Sequence, residues 1–186
     1  MEDLILPYDK MQELSCHIQG NYKLYLFKPT LLKLFPKSGK MHAMTFTQRL
    51  RFFSLLFTGY RVYVLSDKGS QVLGCAVFAT GGSYRYPFSN KEDLICGPYY
   101  TVPTYRNQGI ASKLLTEVIE YHETNYKSIY AHIWYENEAS IRCMSKIGFK
   151  EVGRMKTSKF LHICKMNENG NLILVSFQKK ENKEKK

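Results

Sequence analysis

The chain lacks the cysteine pairs and long apolar runs that mark disulfide-bonded, zinc-bound or membrane-spanning proteins. Its five cysteines, Cys16, Cys75, Cys96, Cys143 and Cys164, are scattered, with no two closer than 20 residues. No C-x-x-C pair or Cys/His cluster exists, so no metal site is expected. An odd, dispersed set suits a reducing compartment, and a cytoplasmic location is the expectation. No apolar stretch reaches the ~18 residues of a bilayer span. The start, Met-Glu-Asp, has no basic leader and Pro7 cuts its apolar run, so no signal peptide is expected. Phosphate loops of the G-K-[ST] and G-x-G-x-x-G kinds are missing too. Acidic residues are short: 16 Asp and Glu face 27 Lys and Arg, a net charge of +11.

Fourteen Tyr, eleven Phe and one Trp stand in 186 residues that are 44% hydrophobic and 23% charged. That is the composition of a folded domain, and a chain of this length can bury a core without disulfides or metal. The last eight residues, KKENKEKK, carry +3 and the remainder +8. Residues 1–178 are therefore expected to form a single domain and 179–186 a basic, disordered tail. The basic balance attracts anions without choosing among nucleic acid, membrane and phosphorylated small molecules.

Periodicity orders the elements. Residues 22–28, YKLYLFK, read as a strand ending at Pro29. Thr45 to Gln48 has the form of a capping box, after which Phe46, Leu50, Phe53 and Phe57 recur at helical spacing until Gly59. Arg61–Ser66 and Val72–Thr80 read as strands around the turn Asp67-Lys68-Gly69, the second apolar on both faces and so interior. Residues 94–102 make a strand in which Gly97-Pro98 signals a bulge or an interruption of pairing. A helix is expected from Asn107, with Ile110, Ala111, Leu114, Leu115, Val118 and Ile119 on one face. A strand then alternates over Ser128–Trp134, Asn137 caps a short helix ending at Gly148, and strands follow near 149–156, 159–165 and 172–177. This order predicts a mixed α/β sheet with a parallel segment in its second half.

Chemistry concentrates at Val102–Ser112, VPTYRNQGIAS. A strand ends, a turn follows and a helix opens with small residues, so unpaired amides and the positive dipole end could cradle a pyrophosphate. The match Arg106-x-x-Gly109-x-Ala111 alone would occur by chance in about one chain in six of this length. Its context adds the segment NEASIRCMSKIGF, Asn137 to Phe149, after one helix and one strand.

In this order of segments the sequence resembles the GNAT superfamily of acyl-CoA N-acyltransferases, specifically over about residues 94–155 and in topology alone over 22–93. The resemblance implies a single-domain GNAT fold: an α/β, α+β mixed sheet, splayed and mostly antiparallel, with one parallel βαβ segment. It implies acetyl-CoA (coenzyme A) as cofactor. The pyrophosphate would meet Arg106, Asn107, Gln108, Gly109, Ile110, Ala111 and Ser112. The pantetheine arm would lie along Tyr100, Thr101 and Val102, and Asn137 and Ser140 would flank the thiol end.

Two family positions are changed. Met144 stands where many members carry a tyrosine acid, and Pro98 and Cys96 stand where several branches carry a base. His132 occupies the place of the carboxylate base in enzymes acetylating ribosomal-protein N-termini, and a neutral imidazole can take an amine proton. Tyr135, Tyr99, Tyr100 and Ser140 are candidate partners for the leaving thiolate. The bland alternatives are a hydrogen-bonded strand histidine, a plain helix cap at Asn137 and a solvated basic face at Lys146, Lys150 and Arg154.

The expected activity is acetyl transfer from acetyl-CoA to a primary amine by direct attack in a ternary complex. The expected acceptor is a small-molecule amine, anionic or sugar-like, such as an amino sugar on a nucleotide, bound by the N-terminal helices, the 81–91 loop and the 156–160 turn. Those segments carry Lys37, Lys40, Tyr84, Arg85, Tyr86, Lys156 and Lys159. No nucleic-acid or membrane partner is expected, and a homodimer is the assembly considered. The alternative function is a coenzyme A or acyl-CoA binding module with weak or no turnover.

Overall fold

The computed structural model describes residues 11–15, 21–36, 46–122, 125–158 and 162–178. Nine strands and three α-helices are defined: β1 Gln12–Leu14, β2 Tyr22–Phe27, α1 Phe46–Leu55, β3 Arg61–Asp67, β4 Val72–Thr80, β5 Leu94–Thr101, α2 Ile110–Tyr121, β6 Ser128–Trp134, α3 Glu138–Ile147, β7 Lys150–Thr157, β8 Cys164–Met166 and β9 Leu172–Gln178. The sheet is mixed, with one parallel pair among antiparallel ones. The chain divides into two compact units, Met1–Thr80 with Cys96–Tyr121, and Gly81–Ile95 with His122–Lys186.

The first unit runs β1-β2-β3-β4 and then β5 from Cys96 onward. β2 and β3 pair antiparallel from Tyr22↔Asp67 to Phe27↔Val62. β3 turns into β4 through Asp67, whose carboxylate accepts from the Gln71 amide at 2.8 Å and whose carbonyl accepts from Ser70. Val62 to Ser66 and Val72 to Ala79 are all buried, the both-faces pattern expected of an interior strand. Helix α2 covers them with Ile110, Leu114, Leu115, Val118 and Ile119, each burial contributing about 1.5–3 kcal/mol.

Two readings change here. Helix α1 buries Phe52 and Leu55, while Leu50, Phe53 and Phe57 face outward. Spacing identified a stripe but not the side that meets the core. Thr45 and the Phe46 side chain lie outside the described residues, so the expected capping box does too. Strand β5 runs through Gly97-Pro98, whose peptide is cis, with Gly97 at φ 123. Helix α2 opens at Ile110 rather than Asn107, because Asn107 and Gly109 both hold positive φ.

The second unit runs from the first residues of β5 through β6-β9-β7-β8. β6 and β9 pair antiparallel from Ser128↔Gln178 to Trp134↔Leu172, and β9 then pairs with β7. Ile129, Ala131 and Ile133 are buried, as their alternation predicts. Helix α3 begins at Asn137 and ends at Gly148, whose amide donates to Met144 and Ser145 carbonyls. The expected strand at 159–165 is found only as the short β8, residues 159–161 lying outside the described set. β1, three residues long, carried too little pattern to be read.

Candidate active site

In the first unit a narrow approach sets the end of β5. A Cβ on Gly74 would lie 2.8 Å from the Tyr100 carbonyl and 3.6 Å from Ile110 Cγ2, so only glycine lets β5 and α2 sit this close to β4. The Val102 amide donates to the Leu73 carbonyl at 3.0 Å. Tyr105, in the 3₁₀ turn Pro103–Tyr105, donates its hydroxyl to Gln71 at 2.8 Å. Tyr100, Thr101 and Val102 are thus fixed, half-buried, immediately ahead of the turn.

Beyond that turn Arg106, Asn107, Gln108 and Gly109 are exposed. Arg106 lies over the Tyr100 ring at 5.8 Å and its Nε donates to the Thr101 carbonyl at 3.4 Å. Gln108 donates its side-chain amide to Thr104. Asn107 has φ 61 and Gly109 φ 73, the left-handed region that asparagine and glycine tolerate best. A Cβ on Gly109 would meet nothing within 4 Å, so open space lies at this backbone. Ile110, Ala111 and Ser112 form the first turn of α2, which carries no acidic residue. Amides of a first helical turn have no intrahelical acceptor, and no carboxylate here competes for the dipole. Exposed backbone, open space and absent acid together fit a pyrophosphate.

The sequence reading overlooked Lys113. Its ammonium sits 4.6 Å from the Tyr22 ring centroid and 3.0 Å from the hydroxyl, tying α2 to β2. Only the 91-residue separation hid that pair.

The second unit holds His132, Asn137 and Ser140. His132 is half-buried on β6, opposite Leu174, with its ring centroid 6.1 Å from that of Tyr86. Asn137 accepts the Ser140 amide at 3.2 Å and so caps α3, using the same two residues expected near the thiol. Met144 is buried and packs, and has no acidic proton to give. Among the candidate thiolate partners, Tyr135 is exposed and its hydrogen bond to Glu136 raises its pKa. Cys96 is buried and Cys143 half-buried.

The 81–93 loop departs furthest from expectation. Tyr84 is exposed, but Arg85 and Tyr86 are 1% and 2% exposed and point inward. Lys156 is exposed, whereas Lys37, Lys40 and Lys159 lie outside the described residues. Loops usually lie outside, yet this one folds under its own hydrogen bonds. The Gly81 amide donates to Asp93, Gly82 to the Ser89 hydroxyl, and Asn90 to the Asp93 carboxylate. Among the described residues no group of three metal-ligating side chains is assembled, and no helix is long and apolar enough to cross a membrane.

The model of the Acetyltransferase (GNAT) family matches residues 29–149. Among solved structures the chain is similar to an N-acetyltransferase from Staphylococcus aureus Mu50, with 28% identity over 74% of this chain and 79% of that one and a TM-score of 0.52. It is similar in fold to yncA from Salmonella typhimurium, solved with its cofactor acetyl-CoA, at 24% identity, 75% and 77% coverage and a TM-score of 0.53. A spermidine N-acetyltransferase from Vibrio cholerae, solved with CoA and spermine, shares the fold at 16% identity, 84% and 95% coverage and a TM-score of 0.55. No curated protein matches the chain.

Proposed function

This chain belongs to the GNAT acetyltransferase family, and from that premise we propose that it transfers an acetyl group from acetyl-CoA to a primary amine of a small molecule. The observation that carries the reading is the open start of α2, with exposed backbone at 106–109, empty space at Gly109 and no acid in its first turn. Amides from Arg106 to Ser112 hold the pyrophosphate, and Tyr100 to Val102 offer a strand edge to the pantetheine arm. When bound, acetyl-CoA supplies an activated thioester carbonyl.

His132 takes the proton from the attacking amine, directly or through water. Attack is direct: Cys75 is a buried thiol pushed up to about 12, too poor a nucleophile to carry the acetyl group. Asn137 and Ser140, joined by their cap bond, border the thiol end. The buried Met144 favours a second reading, a coenzyme A binding module with little turnover.

Thermal unfolding with acetyl-CoA, desulfo-CoA and ATP tests the cofactor. Ligand at 100 times its Kd adds about 2.7 kcal/mol, raising Tm by roughly 5–10 °C. A rise with acetyl-CoA but not ATP supports the reading, and no rise at millimolar acetyl-CoA sinks it. Thiol release across a panel of small amines then separates the two readings, since a pure binder shows the thermal shift without acetylation.

A further inference from the structure

Arg85 carries a guanidinium that is 1% exposed, and its Nε and Nη1 are buried without a hydrogen-bond partner. It enters none of the ion pairs found among the described residues. Arginine stays charged in proteins, and a buried charge without a counter-ion is costly to the fold. Ser83, two residues earlier, holds a buried hydroxyl without a partner. One loop therefore contains a cation and a hydroxyl donor that the described chain leaves unsatisfied.

The loop holds them firmly. The Tyr86 amide donates to the Ser83 carbonyl, and the Ser89 amide to the Tyr86 carbonyl. The Arg85 carbonyl accepts from Cys164 of β8 at 2.9 Å, so backbone bonds lie on both sides of the side chain. Its guanidinium stands 5.8 Å from the Tyr86 centroid, and His132 is another neighbour of that ring, at 6.1 Å. One aromatic ring thus separates the unpaired cation from the proposed base, all within the second unit.

We propose that Arg85, with Ser83, forms the anion subsite of the acceptor: the amine acetylated here also bears an oxyanion, a carboxylate or a phosphate. This deepens the acetyltransferase reading and rests on it for the amine. The fork of guanidinium donors suits either oxyanion, and an anion there supplies the missing counter-ion. Tyr86 and Phe88, whose rings lie 6.2 Å apart, make the apolar wall between anion and amine.

The test uses the full chain, saturating acetyl-CoA and paired acceptors: glycine against glycinamide, and glucosamine 6-phosphate against glucosamine. The charged member of one pair is expected to win by about 10- to 100-fold in kcat/KM, the range of one or two charge-assisted hydrogen bonds, and the winning pair identifies the oxyanion. Arg85→Met is expected to collapse that ratio toward one through KM; Arg85→Gln serves if the first variant does not fold. A purely structural role for Arg85 would leave the ratio where it was. Neutral members equal to or better than charged ones, or a preference surviving both variants, would overturn the proposal.

Melting provides the arm that needs no turnover. Phosphate or malonate, against sodium chloride of equal ionic strength, is expected to stabilise the wild type more than Arg85→Met. Equal shifts would overturn the anion subsite. An oxyanion shift without an acetyl-CoA shift would instead refute the acetyltransferase reading and leave the subsite standing.

Discussion

Helix α3 closes its own start, whereas α2 leaves its start open. At α3 the Asn137 oxygen accepts the Ser140 amide, Glu138 sets a carboxylate in the first turn, and Arg142 pairs with it at 2.8 Å. At α2 no acid lies in the first turn, and the residues leading in are exposed and turn through positive φ at Asn107 and Gly109. Both helices concentrate positive potential at their first amides. One spends it on its own side chains; the other leaves it open.

The contrast can be broken at several points. The largest effect is expected at His132, which tests whether the second unit performs chemistry while α2 only holds cofactor. His132→Ala should lower kcat by about 10²–10⁴ with the acetyl-CoA thermal shift preserved, by steady-state and melting measurements. Loss of the shift with kcat unchanged would reverse the assignment. Next, Gly109→Asp gives α2 the carboxylate that α3 owns, in a left-handed conformation costing about 1–2 kcal/mol. Acetyl-CoA binding should weaken by about 100-fold by calorimetry, and undiminished binding would remove α2 from the site.

A third test concerns the buried core beneath α2. Burial pushes the Cys75 thiol from 9.0 and the Tyr63 phenol from 10.0, each up to about 12. Below pH 9 the thiol is neutral in folded and unfolded chains alike. Above it the unfolded chain ionises first, so stability falls as pH climbs toward 12, by about tenfold in the unfolding constant per pH unit for each group. Urea titrations should show this slope, and Cys75→Ala should flatten its thiol share. The smallest effect is the cap itself: Asn137→Ala should cost about 1 kcal/mol in urea unfolding, restored by Asn137→Ser. A loss of acetyl-CoA binding without loss of stability would assign Asn137 to the cofactor rather than to α3.

Residues whose role is local were the legible ones. Asn137 and Gly148 bound α3 as read, Ser128–Trp134 alternates as read, and the all-apolar Val72–Ala79 lies inside the sheet. The turn ahead of α2 was found from a short motif because its peculiarity is backbone conformation, which asparagine and glycine betray. What stayed hidden depends on packing between distant segments. Periodicity could not say that Phe52 rather than Phe53 faces the core. Nor could a polar loop announce that Arg85 and Tyr86 turn inward, since Ser89 and Asp93 satisfy the backbone that a loop usually gives to water.

Among the described residues the outermost strands are β1 beside β2 and β8 beside β7, each of three residues. At about 3.3 Å per residue each of these strands spans only ~10 Å. Gln12 and Glu13 on one, and Lys165 and Met166 on the other, are exposed there. A stray chain in extended form finds few amides to copy and, at Glu13 or Lys165, a charge to desolvate. The brevity of these two strands therefore works as a guard against templated growth into fibres, a protection that matters most when a chain rich in tyrosine and phenylalanine is made at high concentration.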